Sequence, residues 1–333
     1  MNEFLAGILD GINGVVQNYG WSIVVFTILI KLVLFPLDFK SRKSMRRMQS
    51  FQPELSKLQK KYANDKEKLN QKTSELYRRE KINPMAGCVP MLLSMPILFA
   101  MFGAMRLIAN MELANQAFDL ITTGQQVNEG WLWVKNLWMP DSPFASVIAN
   151  QSSLQQIPAD IWTKVFAALD PSKIQALASL GNGLAITAEN LSHETVYAAL
   201  AACDVFKEST QLWSTMPTVN LIFTKLNIFA QPNGFFLLPL LAAGTQFLMT
   251  MFQPQMSAPA AGADNPAAST NKTMQYFMPL FSLFICFSYN AGFALYWVAS
   301  NLIAGAQGYA LNKYFAAQEK KASNETIGEG SIK

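Results

Sequence analysis

Charge is scarce in this sequence: Asp, Glu, Lys and Arg make up 14% of 333 residues, against 51% hydrophobic and 12% aromatic. That balance excludes an ordinary soluble domain, where about a quarter of residues are charged, and it is the profile of a polytopic membrane protein. There is one histidine, His193, and there are three cysteines. His193 and Cys203 have no second ligand group, so neither a metal site nor a disulfide is indicated and both read as ordinary surface or core residues. Nothing has the pattern of a phosphate loop, a nucleophile triad or a metal cluster, so no enzyme chemistry and no cofactor are assigned. Lys and Arg are missing before Lys31, and Asp and Glu are missing from every long apolar run.

The charges that exist are clustered, which leaves uncharged windows between Lys81 and Arg106, Lys225 and Asp264, and Lys272 and Lys313. With the run from Trp21 to Leu37, these windows accommodate five membrane spans, at 21–39, 88–108, 234–252, 274–289 and 292–311. The last window divides at Tyr289–Asn290–Ala291–Gly292, where Asn and Gly favour a tight turn. Pro90 and Pro96 predict a kinked, Met-rich second span.

Residues 40–81 carry fourteen Lys or Arg against five acids. By the positive-inside rule this segment is cytoplasmic, which places the N-terminus outside and the C-terminus inside. Apolar stripes at Leu55, Leu58 and Tyr62 and at Leu69, Leu76 and Tyr77 predict an amphipathic helical hairpin over 40–84, open to nucleic acid, anionic lipid, a protein partner or plain solvent. Residues 1–20, with Phe4, Leu5, Ile8 and Ile12 at helical spacing and an acidic start, predict an interfacial amphipathic helix followed by an uncleaved span. Residues 109–233 belong outside, since Glu112 to Gly234 carries five lysines against ten acids. Within them, Trp131 to Pro140 is expected at the membrane interface, and 145–233 to form a small helical cap. A flexible cytoplasmic loop at 253–273 and a short cytoplasmic tail at 312–333 complete the chain. The fold class is therefore an all-α integral membrane protein: a five-span helical bundle with a cytoplasmic hairpin and an extracytoplasmic helical insert.

Lys31 is the anomaly of the first span. A lysine deep in hydrocarbon costs about 2.5 to 3.5 kcal/mol on insertion scales, and no acid stands three or four residues away. It must reach water, either by snorkelling toward the cytoplasmic face or by lining a hydrophilic groove. Such a groove would draw on Thr27, Ser94, Thr245, Gln246, Trp297, Ser300, Asn301 and Gln307.

The chain resembles the YidC/Oxa/Alb family of membrane protein insertases. The resemblance rests on GWSIVVFTILIKLVLFPL at 20–37, LYRREKINPMAGCVPMLLSMPI at 76–97, LLPLLAAGTQFLMT at 237–250 and MQYFMPLFSLFICFSYNAGFALYWVASNL at 274–302. It implies a multi-pass protein of the bacterial plasma membrane that acts as a monomer. Its partners would be nascent membrane proteins, the lipid bilayer and, through the hairpin, the ribosome and the Sec translocon. In that family an arginine of the first span faces a groove open to cytoplasm and lipid; the matching position is Lys31, which keeps the charge and loses the planar fork. Where the family has a proline before the small residue and glycine of the last turn, this chain has Asn290, which predicts a looser corner. The chain is expected to depart from that family in lacking the large extracytoplasmic domain and extra first span of Gram-negative members and the lipoprotein signal of Gram-positive ones. The segment 145–233 has no evident counterpart. A different class, a solute transporter or channel, would bind an anionic substrate at Lys31; the spans show no evident inverted repeat to support it.

Overall fold

The computed structural model describes residues 1–80, 89–126, 128–212, 214, 218–220, 225–252 and 266–330, with backbone only for 89–95, 219–220, 225, 251–252, 266–275 and 321–330. The helices are α1 (Asn2–Val16), α2 (Tyr19–Ser50), α3 (Gln52–Lys61), α4 (Lys66–Arg79), α5 (Val89–Thr123), α6 (Gln151–Gln155), α7 (Ala159–Ala167), α8 (Pro171–Ala178), α9 (His193–Ala202), α10 (Asp204–Ser209), α11 (Leu237–Phe252), α12 (Pro266–Ser288) and α13 (Ala291–Gly330). Two residue-pair strands, β1 (Val219–Asn220) and β2 (Lys225–Leu226), pair antiparallel within the segment read above as helices alone. Among the described residues, two helical stretches, Tyr19–Ser50 and Pro96–Thr123, are long and apolar enough to cross a membrane, and Leu237–Thr250 and Tyr276–Ser288 are shorter apolar helices.

The chain divides into two compact units, and α2, α5, α11, α12 and α13 contribute residues to both. The first comprises Met1–Phe26, Phe99–Ala242 and Leu283–Trp297. Its organising feature is the loop from Trp131 to Asp141. Asn136, Asp141 and Asn233 are all fully buried there. The Asp141 carboxylate accepts the backbone N–H groups of Phe235 (2.8 Å), Phe236 (3.2 Å) and Leu238 (2.6 Å), together with the Trp133 indole N–H (3.1 Å). Leu238 is an orphan donor in the first turn of α11, and the Phe235 and Phe236 amides lead into it. A side chain at Gly234 would collide with Asp141, so the glycine admits the carboxylate. Asn233 accepts from the Asn136 N–H at 2.8 Å and donates to the carbonyls of Asn136, Met139 and Pro140.

The same loop holds a second helix start. The N–H groups of Ala291 and Gly292 donate to the carbonyls of Met139 (3.0 Å) and Leu137 (2.8 Å). Asn290 Oδ1 caps α13 by accepting from the Phe293 N–H at 2.8 Å. The corner expected to be looser is thus fixed by a side-chain cap, because asparagine supplies an acceptor that proline lacks. Within Trp131 to Pro140, expected at the membrane interface, Leu137, Trp138 and Met139 are core residues, with Trp138 edge-on to Tyr19 at 5.0 Å.

The segment from Ala145 onward folds against the C-terminal half of α5. Phe118 is fully buried edge-on to Trp162 (5.7 Å) and Phe166 (5.8 Å), and Lys173 forms an ion pair with Asp119 at 2.5 Å. Leu154, Leu177, Val196 and Leu200 fill the small core behind them. Trp213 and Phe223 lie outside the described residues.

The second unit comprises Thr27–Leu98, Ala243–Ser282 and Val298–Lys333. In it α2 runs on through the basic residues to Ser50, so the hairpin proper is α3 and α4. Asp65 caps α4 by accepting from the Lys68 N–H, Leu55 and Leu76 are buried, and Arg79 pairs with Glu54 at 2.9 Å. α12 begins at Pro266, within the loop expected to be flexible as far as residue 273; residues 253–265 and 81–88 lie outside the described residues. Proline at the first helical position needs no N–H and has the right φ, which explains the early start.

Removing the Asp141 carboxylate strands four donors, of which the Leu238 N–H is buried and the other three are part-buried. Asp141→Ala is expected to lower unfolding stability by roughly 3 kcal/mol or more, and Asn233→Ala to be comparably severe. Lys207→Ala, which removes only the exposed pair with Asp204, should change it by less than about 1 kcal/mol. Thermal unfolding in detergent checks this, and equal midpoints for Asp141→Ala and Lys207→Ala would contradict it.

Candidate functional site

The residues expected to line a groove separate into three groups. Lys31 sits in the middle of α2, half-buried, and its carbonyl accepts a hydrogen bond from Gln307 Nε2 of α13 at 3.4 Å. Among the described residues no acid lies within ion-pair distance of its ammonium. Thr27, one turn earlier, is fully buried. The second group joins α11 to α13: Asn301 Nδ2 donates to Thr245 Oγ1 at 3.2 Å, and both side chains are buried. Gln246 and Ser300, each next in sequence to one of that pair, are half-buried.

The third group comprises Trp297 and Ser94. Trp297 belongs to the first unit, where it is buried beside Phe293 at 5.6 Å. Ser94 falls in α5, and its side chain lies outside the described residues.

Three further residues of the second unit were not anticipated. Asp38 and Arg42 follow Lys31 by seven and eleven positions. At about 100° per residue those offsets return to within about 20° of its face. Asp38 accepts from Arg42 Nε at 2.9 Å, with the arginine side chain 10% exposed and the aspartate 32%. Asp38 attracts and Arg42 repels the Lys31 ammonium from farther along the same helix. Gly308, the residue after Gln307, makes room for the guanidinium: a Cβ there would stand 2.9 Å from Nη1 and 3.2 Å from Nη2. The helical period alone could have signalled Asp38 and Arg42, whereas Gly308 could be found only from the packing.

The arrangement is a line of charge with one cation in excess, beside two polar contacts that tie α13 to α2 and to α11. A hydrogen bond between buried side chains of apolar helices contributes about 0.6 to 1.7 kcal/mol. Thr245→Val and Asn301→Leu should therefore each destabilise the protein, and in combination cost about 1 kcal/mol less than the sum of the two. Denaturant unfolding of the two single variants and the double one measures that coupling; strict additivity would contradict it.

A family model described as the 60Kd inner membrane protein matches residues 11–180 and 194–319. Most of 145–233, expected to lack a counterpart, falls inside that match, which omits 181–193 between its two stretches. A Membrane protein insertase YidC of Fusobacterium nucleatum subsp. nucleatum is 53% identical over 106 residues, 32% of this chain and 52% of the relative. One of Clostridium perfringens is 41% identical over 140 residues, covering 42% and 52%. One of Leptospira interrogans is 28% identical over 306 residues, covering 92% of this chain and 33% of the relative. The aligned chain thus spans about half or less of the length of these relatives.

Proposed function

Since the chain belongs to the 60Kd inner membrane protein family, also called the YidC/Oxa/Alb family, we propose that it is a membrane protein insertase that integrates and helps fold newly made membrane proteins. The observation that carries the electrostatic mechanism is Lys31, a mid-helix cation without an acid at ion-pair distance among the described residues. A fixed positive charge in a medium of low dielectric attracts the acidic residues of a polar client tail more strongly than it would in water. A groove that lets water part of the way in shortens the hydrocarbon such a tail must cross. The client's apolar segment then passes into lipid along the exposed apolar faces of the spans, of which Leu248 and Leu302 are examples. No bond is made or broken in the client, so the protein acts by binding and positioning.

The topology that fits this reading has five spans, the N-terminus outside, and the hairpin and C-terminal tail in the cytoplasm, as the charge distribution favours. The Lys- and Arg-rich hairpin meets the client, and through it the ribosome or the Sec translocon, while the segment from residue 145 to 233 covers the outer side. The protein works as a monomer.

Lys31→Arg should keep insertion, whereas Lys31→Leu and Lys31→Glu should impair most the clients with acidic translocated tails. The loss is expected to be about tenfold or greater in initial rate, the equivalent of one charge-assisted contact. Reconstituted vesicles and a short single-span client measure this, and an equal rate for Lys31→Glu and wild type would remove the charge from the mechanism. The same vesicles distinguish an insertase from a solute carrier, since only the former integrates a client without other factors. Replacing Gln52 to Glu80 with a short linker should leave a membrane-integrated protein with little insertion activity; full activity would make α3 and α4 a mere connector.

A further inference from the structure

Arg42 is nine-tenths buried, yet only part of its donor capacity is used. Nε is bonded to Asp38, while Nη1 and Nη2, lying against Gly308, have no protein acceptor among the described residues. A guanidinium presents five donors in a planar fork that fits a carboxylate with two parallel bonds. Asp38 engages it through Nε alone, from the same helix and four residues away. The free edge of the fork is thus held against the α13 backbone at Gly308 and desolvated on that side, with its Nη donors left for a better-placed carboxylate.

The spacing adds a second argument. Along α2 the Cα of Asp38 lies about 10 Å and that of Arg42 about 16 Å from that of Lys31. Arginine side chains on a helix lean toward its N-terminus, which carries the guanidinium back toward Asp38 and Lys31. One carboxylate therefore stands between two cations. It cannot neutralise both, and it offsets Arg42, the one it touches.

We infer that Arg42 is a second anion-binding position for carboxylates of an extended client tail, and that Asp38 is an internal stand-in which such a carboxylate displaces. A tail with acidic residues would meet Arg42 first and Lys31 farther along α2, exchanging one charge-assisted bond for another instead of entering an empty site. Asp38 keeps the buried guanidinium from standing uncompensated when no tail is present, a situation that is costly for a buried charge. The same competition lowers the affinity for anions in the resting protein and favours tails whose acids can take both donors of the fork. This inference rests on the insertase reading above and deepens it to a named residue and a ligand chemistry.

The test is binding, not insertion. The purified full chain in nanodiscs is titrated with a fluorescent extended peptide carrying aspartates, and with the same peptide carrying asparagines. Asp38→Asn should tighten the aspartate peptide about tenfold, the worth of one charge-assisted hydrogen bond, and leave the asparagine peptide unchanged. Arg42→Gln should weaken the aspartate peptide. The double variant Asp38→Asn/Arg42→Gln, with the same net charge as wild type, should bind both peptides as weakly as Arg42→Gln or as wild type. Arg42→Lys serves if the glutamine variant does not fold, since it keeps the charge and loses the fork; combined with Asp38→Asn it should recover less than half of the tightening. Tightening that persists in full in either double variant assigns the effect to the field at Lys31 and overturns the role of Arg42. An unchanged or weakened affinity in Asp38→Asn overturns the stand-in. Wild type that binds the two peptides equally overturns the electrostatic reading of Lys31 itself, a different failure from either of these.

Discussion

The first unit depends on a single economy of hydrogen bonding: the starts of two helices are satisfied by one loop. An α-helix leaves its first backbone N–H groups without internal partners, and in a dry interior each unpaired group costs about 1 to 3 kcal/mol. Asp141 takes the donors at the start of α11, while the carbonyls of Leu137 and Met139 take those at the start of α13. Asn136 and Asn233 close the loop on itself so that these acceptors are held in place. A membrane bundle has little hydrophobic force between its helices, so polar contacts of this kind fix where a helix begins and how it is oriented.

The second unit applies the opposite rule at one position. Polar side chains there are paired, Asn301 with Thr245 and Arg42 with Asp38, and the Gln307 amide reaches the backbone of α2. Lys31 has no such ion-pair partner among the described residues. A partner would lower the energy of the resting protein and, under the proposed function, would also neutralise its attraction for a client. Function and stability therefore pull in different directions at this residue, and the surrounding pairs hold the helices that carry it.

The apolar runs of α2, α5, α11 and α12 were legible because uncharged stretches of that length have few other uses, and the hairpin was legible because its stripes repeat at helical spacing. What could not be read were contacts made across long stretches of chain. Asp141 lies 94 to 97 positions from the amides it caps, and nothing local distinguishes it from a surface aspartate. Trp138 belongs to a tryptophan-rich strip that resembles an interfacial belt, but its neighbours Tyr19 and Gly292 come from the far ends of the chain. Of the candidate site, Lys31, Gln307, Asn301 and Thr245 do sit in one unit as polar members of apolar helices, whereas Trp297 belongs to the other. Asp38 and Arg42 stand two and three turns from Lys31, beyond the three- and four-residue spacing at which helical neighbours meet, so local sequence does not mark them as its partners.

The central claim is that a positive charge at position 31 is reached by water and drives the insertion of acidic tails, and chemical replacement of that charge tests it most directly. In a Lys31→Cys variant with Cys88, Cys203 and Cys286 changed to alanine, insertion of an acid-tailed client should be poor. Treatment with an aminoethyl thiosulfonate, which attaches a cation, should restore it, and a neutral methyl reagent of similar reactivity should not. Failure of either reagent to label position 31, or equal rescue by both, would contradict the account.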